Sequence, residues 1–330
     1  MAAEGVDPVD NTALLAEIAR RFYLLGESKI VIGNDLGLSR FKVARMLQEA
    51  LDRGIVTIRI RDTNDDEERL SAELARHLGL REAVVVPFDH NVATERDTLG
   101  SAGARYVSRH MSTGDVIGFS WGRTLLPIAA HLTAVPKATF VQLTGVVGND
   151  PTQSPIEIIS RIKRQTHSQA KALFAPLFSA TAETAASLRG QESVADVIAL
   201  YDHLNIAVLS VGSWRPRVTQ LEQHLSDEDA RFLDEQKAIA DFGGIFFGED
   251  GMLIDTPLNE RRISVSVAEL QKTPSVIAVA GGLLKVDAIH AVCCTGLPTC
   301  LITTTEVAEA LLDKPAITEV AYAPGSSRKG

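Results

Sequence analysis

The stretch SKIVIGNDLGLSRFKVARMLQEAL, residues 28–51, decides the architecture of the N-terminal part of this chain. A short helix is predicted over residues 30–36, and it ends at Gly37, because glycine tolerates the left-handed geometry of a helix end. Ser39 then caps a new helix whose apolar side chains, Val43 and Met46 among them, point inward. Two helices joined by such a turn are typical of a helix-turn-helix, so the stretch predicts a unit that binds DNA.

The segments on both sides of this stretch complete the predicted head. Residues 12–27 place apolar side chains three or four positions apart, which predicts one apolar face of a supporting helix. These side chains are Leu15, Ile18, Phe22 and Leu25. After Gly54 the run IVTIRIRD alternates in the manner of a strand, and it predicts a β-wing whose Arg59 or Arg61 contacts backbone phosphate. The head is therefore expected to be a winged helix-turn-helix.

Charge favours DNA binding over a merely solvated helix face. Between Thr12 and Arg61 nine Lys and Arg stand against five Asp and Glu, a net +4, whereas the whole chain carries −9 and the remainder therefore −13. Phosphates attract such a head and repel the acidic body. Arginine and lysine suit guanine O6 and N7 or phosphate, and Phe41 suits a thymine methyl group. The predicted DNA-contacting residues are Ser28, Lys29, Ser39, Arg40, Phe41, Lys42, Arg45 and Arg59.

Length and composition predict a second, larger domain in a reducing compartment. A chain of 330 residues with 45% hydrophobic content is long enough for one sizeable effector domain beside the head. Its three cysteines fit neither a zinc spacing nor a disulfide framework, which favours the cytoplasm. The N-terminus lacks the basic and apolar regions of a signal peptide, and no apolar run is long enough to cross a bilayer. We therefore expect a soluble cytoplasmic protein without membrane partners.

The larger domain is predicted to be an α/β fold. From Ala83 onward apolar β-type runs alternate with helical stretches, as in βαβ units, which predicts a doubly wound, mainly parallel sheet covered on both faces. Among the runs that predict strands are IFFGEDG, residues 245–251, and MLID, residues 252–255. The polar run DTNDDEERL, residues 62–70, predicts a linker into a helix that reaches His77. The expected divisions are a flexible N-terminus over 1–11, the winged head over 12–62, an effector and oligomerisation domain over 63–323, and a flexible tail over 324–330.

Two strand-to-helix loops of this domain have the composition of anion sites. Residues 118–124, GFSWGRT, place Gly118, hydroxyl donors and Arg123 at the end of an apolar strand, where Gly122 lets the backbone approach a ligand. Residues 281–285, GGLLK, repeat the arrangement with Lys285, a residue that opposes the helix dipole unless it binds an anion together with the helix. Ordinary strand-to-helix turns also use Gly, Ser and Thr, but ligands collect beyond the carboxyl ends of parallel strands, where both loops are expected.

Taken together, these motifs resemble a SorC-type (DeoR/CggR-like) sugar-responsive bacterial transcription regulator over nearly the whole chain. The resemblance rests on LGLSRFKVARMLQEALDRGIVTIRI in the head and on GFSWGRTL, FVQLTG, LSVGSW, DFGGIFFGEDG, LNERRISVS and VIAVAGGLLKVDAIHAVCCTGLPTCLIT in the larger domain. It implies a winged helix-turn-helix joined to an effector domain related to sugar-phosphate isomerases and deaminases. It also implies binding of a sugar, a sugar alcohol or their phosphate, and dimers or tetramers on palindromic double-stranded operators.

The resemblance also implies ligand-binding positions in this chain. Ser120, Trp121, Gly122, Arg123 and Thr124 match the phosphate loop, and Lys285 matches an anion-binding lysine. Residues that fall around the ligand hydroxyls are Gln142, Gly145, Gly212 and Asp241, of which Asp241 is the preferred hydroxyl acceptor; its alternative is an exposed acid at a helix end. Trp121 is bulky for a phosphate loop and could stack on a sugar face, so phosphate ester and free polyol both stay open.

Two other functional classes compete with a regulator. A sugar-phosphate isomerase or deaminase needs a positioned acid and base, yet the eight histidines are scattered, and His203 and His290 near the expected loops are better explained as structural. An architectural DNA-binding protein would not need so large an acidic domain. The sequence thus predicts a regulator with no catalytic residue, no metal site and no cofactor, in which a ligand biases oligomer geometry and thereby DNA affinity.

Overall fold

The computed structural model describes residues 11–23, 25–56, 63–88, 91–148 and 154–322. The chain divides after Asp62 into two compact units. Each has its own apolar core.

The first unit contains the predicted helix-turn-helix. Its helices are α1 (Thr12–Tyr23), α2 (Lys29–Leu36) and α3 (Arg40–Asp52). They bury a small core made of Leu15, Ile18, Ala19, Ile32, Val43, Met46, Leu47 and Ala50. The expectation that Leu25 extends the apolar face of α1 was wrong, because α1 ends at Tyr23 and Leu25 is 65% exposed. The predicted wing falls largely on residues 57–62, which lie outside the described residues, and Arg59 and Arg61 are among them.

Two glycines explain the tight turn between α2 and α3. Gly37 ends α2 with φ 65°, so the predicted left-handed helix end is confirmed. Gly33 lies inside α2, where glycine is unfavourable by about 1 kcal/mol relative to alanine. A Cβ at Gly33 would lie 2.6 Å from the carbonyl oxygen of Leu38, whose N–H donates to the Gly33 carbonyl at 2.8 Å. The glycine therefore admits the chain that leaves the turn.

The second unit is built on one twisted sheet. Its parallel strands follow the order β1-β9-β8-β5-β2-β3-β4, and β6 and β7 extend β5 as an antiparallel pair. The strands are β1 (Glu82–Val86), β2 (Val116–Phe119), β3 (Thr139–Gln142), β4 (Gln169–Lys171), β5 (Ile206–Ser213), β6 (Ala240–Phe242), β7 (Ile245–Phe247), β8 (Ser275–Val279) and β9 (Cys300–Thr304).

Helices cover the sheet on both faces, as predicted. They are α4 (Thr63–His77), α5 (Val92–His110), α6 (Leu125–His131), α7 (Pro155–Thr166), α8 (Ala182–Arg189), α9 (Glu192–Ile198), α10 (Asp227–Glu235), α11 (Leu258–Arg261), α12 (Val267–Lys272), α13 (Val286–Cys294) and α14 (Thr305–Leu312). Successive residues of β5 show the two layers, because Ile206 and Val208 belong to one apolar core and Ala207 and Leu209 to the other. This alternation confirms the doubly wound α/β fold.

Two local expectations were wrong, and two short strands were missed. The predicted linker over 62–70 is mostly helix, since α4 begins at Thr63. Its turns place Leu70 and Leu74 four residues apart; Leu74 is buried in a core and Leu70 is partly buried against it. The predicted strand in residues 252–255 is absent from the described sheet; Leu253 makes only an isolated bridge with Phe247. The short strands β4 and β6 were not predicted.

The connections of the sheet define a crevice. From β2 the chain proceeds outward to β3 and β4, whereas from β5 it proceeds in the opposite direction to β8 and β9. The loops that follow β2 and β5 therefore separate and leave room at the carboxyl ends of these neighbouring strands. Within the described ranges, no helix is long and apolar enough to cross a membrane.

Candidate functional site

A cavity of about 170 Å³ lies beyond the carboxyl ends of β2, β5 and β8. That volume has room for on the order of ten water molecules, and so for one small polar ligand. Its lining comprises Val92, Glu95, Arg96, Leu99, Trp121, Gly122, Arg123, Thr124, Ser210, Val211, Gly212, Val218, Thr219, Gln220, Asp241, Gly281, Gly282 and Lys285.

The loop after β2 is fixed against β5 by its backbone. Gly122 has φ 148°, and a Cβ there would lie 2.4 Å from the Ser210 hydroxyl oxygen. The hydroxyls of Ser210 and Ser120 both donate to the Trp121 carbonyl oxygen, at 2.8 and 3.1 Å. Trp121 is 6% exposed and belongs to a hydrophobic cluster with Leu177, so most of its ring is used in packing. The arrangement presents Arg123 and Thr124 to the cavity.

Cationic side chains from three elements line the cavity. Lys285 lies in a short 3-10 turn after Gly282, whose φ of 89° favours glycine. Its Nζ donates to the Val211 carbonyl oxygen at 2.9 Å. Burial lowers the pKa of Lys285; Asp241 opposes this effect, and Arg123 and Arg96 add to it. Cations that depress one another's pKa at short range are a favourable environment for an anion.

Asp241 lies opposite these cations on the short strand β6. It is 2% exposed, so it is not the exposed helix-end acid of the alternative interpretation. The Thr219 hydroxyl donates to its Oδ2 at 2.8 Å. Burial raises the pKa of Asp241 to about 6, although Thr219, Lys285 and the Gly244 N–H each act to lower it. A buried carboxylate beside a cavity is a strong hydrogen-bond acceptor for a hydroxyl.

The structure brings seven of the eleven predicted ligand residues together around the cavity. These are Trp121, Gly122, Arg123, Thr124, Gly212, Asp241 and Lys285. Four others lie outside the lining. Gly118 packs in β2 against the Leu143 side chain, Ser120 supports the loop, and Gly145 admits the backbone of Pro176. The Gln142 amide donates to the Thr144 carbonyl oxygen at 2.7 Å and accepts from the Leu173 N–H, so its polar atoms are used in the scaffold.

Several lining residues were not predicted. Glu95, Arg96 and Leu99 come from the N-terminal turns of α5, and Ser210 and Thr219 come from β5 and the loop that follows it. The SVGSW motif was a usable signal for Ser210, because it lies at the carboxyl end of a buried strand. No comparable motif marks the α5 residues. They could have been suggested only by the general expectation that the first turns of a helix that follows a strand lie beside the crevice.

The head exposes the predicted recognition face. Arg40, Phe41, Lys42 and Arg45 are exposed on α3, and the Arg40 guanidinium lies 4.7 Å from the centroid of the Phe41 ring. Ser28 and Ser39 cap α2 and α3, since their hydroxyl oxygens accept from the N–H groups three residues later. Lys29 is exposed as well.

One acid on α2 is paired within the head. Asp35 accepts a hydrogen bond from Arg21 at 2.6 Å, so its charge is partly balanced by a neighbour. The exposed face of α3 thus remains cationic.

Comparisons with known proteins agree with this architecture. Residues 63–313 match the Sugar-bind family model, which describes a sugar-binding domain. The erythritol catabolism regulatory protein EryD of Brucella abortus (strain 2308) is 30% identical over 94% of this chain and 98% of its own length. The sorbitol operon regulator of Klebsiella pneumoniae is 27% identical over 92% of this chain and 98% of its own length. The crystal structure of full-length SorC from Klebsiella pneumoniae superposes with a TM-score of 0.72 at 24% identity, covering 92% of this chain and 100% of that one.

Proposed function

The chain belongs to the SorC-type family of sugar-binding transcriptional regulators, and from this premise we propose how its two units work. The head binds operator DNA through α3, and the effector domain holds a sugar, a sugar alcohol or a phosphate ester of either in the cavity beyond β2, β5 and β8. Occupation of the cavity changes the affinity for the operator. Because the relatives are transcriptional regulators, the enzyme alternative has no support and the chain is a regulator.

The convergence of opposite charges on one small cavity carries this proposal. Arg96, Arg123 and Lys285 lie among the lining residues with the buried carboxylate of Asp241. The cations suit a phosphate group, with each charge-assisted hydrogen bond contributing about 1.5–3 kcal/mol. The carboxylate suits a hydroxyl. One relative is named for a sorbitol operon and another for erythritol catabolism, so the ligand class that we propose is a polyol or its phosphate ester.

Control of the operator requires that the ligand prefer one arrangement of the protein over another. A ligand shifts such an equilibrium only by its difference in affinity for the two arrangements, typically about 1–3 kcal/mol. We propose that the regulator is a cytoplasmic homodimer or homotetramer on a palindromic operator, so that the ligand changes the spacing of two heads. We also propose that Arg59, on the predicted β-wing, contacts the phosphate backbone of the operator.

Thermal-shift screening of the purified chain against polyols, sugars and their phosphates tests the ligand class. A compound that binds only the native state raises Tm by an amount that grows with the logarithm of its concentration relative to Kd. We expect a phosphate ester to stabilise the wild type and to lose its effect in Lys285→Met. Lys163→Met, an exposed lysine on α7, is the matched control and should respond like the wild type. Stabilisation by free polyols alone would remove the phosphate from the proposal, and no stabilisation at all would refute the ligand site.

A further inference from the structure

Glu95 is a buried acid whose hydrogen bonding is incomplete. It lines the cavity from the first turn of α5 and is 6% exposed. The Gly282 N–H donates to its carboxylate, but Oε1 has no hydrogen-bond partner. An unpartnered buried carboxylate oxygen is costly, and native proteins keep such groups where they have a task.

A glycine makes room for this carboxylate, as another does for Asp241. A Cβ at Gly281 would lie 2.3 Å from Glu95 Oε1, and a Cβ at Gly212 would lie 1.8 Å from Asp241 Oδ2. Both glycines line the same cavity. Any larger residue at either position would displace a carboxylate from the cavity wall.

The charges around Glu95 leave two physical explanations. Burial is the largest effect on Glu95 and raises its pKa. The charges of Arg96, which also lines the cavity, and of Lys285 lower that pKa. In the first explanation, Glu95 serves only to reduce the net positive charge around the cavity. That role does not require a carboxylate oxygen without a hydrogen-bond partner. In the second explanation, Oε1 accepts a hydrogen bond from a hydroxyl of the ligand.

We propose that Glu95 is a second hydroxyl acceptor of the effector site, which selects polyhydroxylated phosphate esters over simple anions. The proposal rests on the proposed function, because it presupposes that the cavity binds such an ester. Asp241 and Glu95, both buried acids of the lining, would each accept from a hydroxyl while the cations hold the phosphate. A bare anion gains nothing from either carboxylate.

Ligand titrations of Glu95→Gln distinguish acceptor from charge neighbour, because the two roles predict opposite signs. The probes are inorganic phosphate and the tightest wild-type binder among D-sorbitol 6-phosphate, D-erythritol 4-phosphate and D-ribose 5-phosphate. Loss of a negative charge beside the cations should leave phosphate affinity unchanged or higher. Loss of a charged acceptor should weaken the ester by about ten- to a hundredfold. The ratio of the two affinities is therefore the readout, obtained from thermal-shift titrations.

Glu306→Gln is the matched control. Glu306 acts on Glu95 through its charge and lies outside the cavity lining, so its neutralisation should leave the ratio as in the wild type. Glu95→Asp keeps the charge and withdraws the carboxylate, and it should lower ester affinity without raising phosphate affinity. Equal shifts for ester and phosphate in Glu95→Gln, or no shift in either, would overturn the proposal while leaving the proposed function standing. A wild type that binds none of the three esters would overturn both.

Discussion

Replacement of Asp241 by asparagine should make the unliganded effector domain more stable at neutral pH. Burial raises the pKa of Asp241 from the ordinary 3.8 to about 6. The folded state therefore holds this proton more tightly than the unfolded state, and stability falls as the pH rises from below 4 through 6. Above pH 6 the charged form destabilises the fold by about 3 kcal/mol, which is the difference between the two pKa values converted to free energy.

The neutral asparagine removes this pH-dependent term and keeps the hydrogen bonds. In the wild type the Thr219 hydroxyl donates to Asp241. In the variant this hydroxyl can instead accept a hydrogen bond from the asparagine amide. The stability of Asp241→Asn should then exceed that of the wild type by about 3 kcal/mol at pH 7, by roughly half as much at pH 5 and by only a small fraction of it at pH 4. Ligand affinity should fall by about ten- to a hundredfold in the same variant, since asparagine is a weaker acceptor for a hydroxyl.

Urea unfolding followed by tryptophan fluorescence measures this effect in the full chain. The chain has two tryptophans, Trp121 and Trp214, and both lie in the effector domain, so the signal is that of the domain under test. Asp196→Asn, at an exposed site on α9, is the control and should follow the wild type at every pH. An Asp241→Asn variant that is no more stable at pH 7, or whose advantage persists undiminished at pH 4, would refute the electrostatic reasoning.

Three further substitutions probe the head and the site. Arg45→Ala should weaken operator binding and reduce the slope of log K against log salt concentration by about one, which is the contribution of one phosphate contact. Fluorescence polarisation at several salt concentrations measures both quantities. Arg161→Ala in the effector domain should change neither the affinity nor the slope. Gly33→Ala should destabilise the head by about 1–3 kcal/mol, because the added Cβ clashes with the backbone. Part of the helical circular dichroism signal should then melt at a lower temperature, while the tryptophan transition is unchanged. A more stable head would contradict the clash. Gly212→Ala should abolish the ligand-induced rise in Tm by displacing the carboxylate beside it, whereas Gly190→Ala, where a Cβ meets nothing closer than 3.5 Å, should respond normally.

Local patterns allowed much of the fold and part of the site to be predicted. Buried parallel strands such as β5 are continuous apolar runs, and Gly37 with Ser39 marks the turn of the head, so both were recognisable from neighbouring residues. Arg123 and Lys285 were found because each follows a strand within a glycine-containing loop. The unpredicted strands β4 and β6 have only three residues each, which is too few for a periodic pattern.

What escaped prediction depends on distant contacts. Nothing near Glu95 in the sequence distinguishes it from a solvated helix acid; its burial depends on Gly281, far away in the chain. Gln142 stands at a strand end, where a polar side chain suggests a ligand, but the Leu173 backbone uses its amide. The acidic composition of α4 suggested a linker, although its leucines at four-residue spacing already indicated a buried helix face.

Operator binding in the presence of the effector tests the central claim most directly. A palindromic fragment selected by the chain in vitro would be titrated by fluorescence polarisation at fixed salt, with and without the phosphate ester that most raises Tm. We expect the ester to change the wild-type Kd for DNA by about five- to a hundredfold, and to leave that of Lys285→Met unchanged from its unliganded value. A wild type that binds the ester with no change in operator affinity, or a Lys285→Met variant that responds like the wild type, would contradict the account.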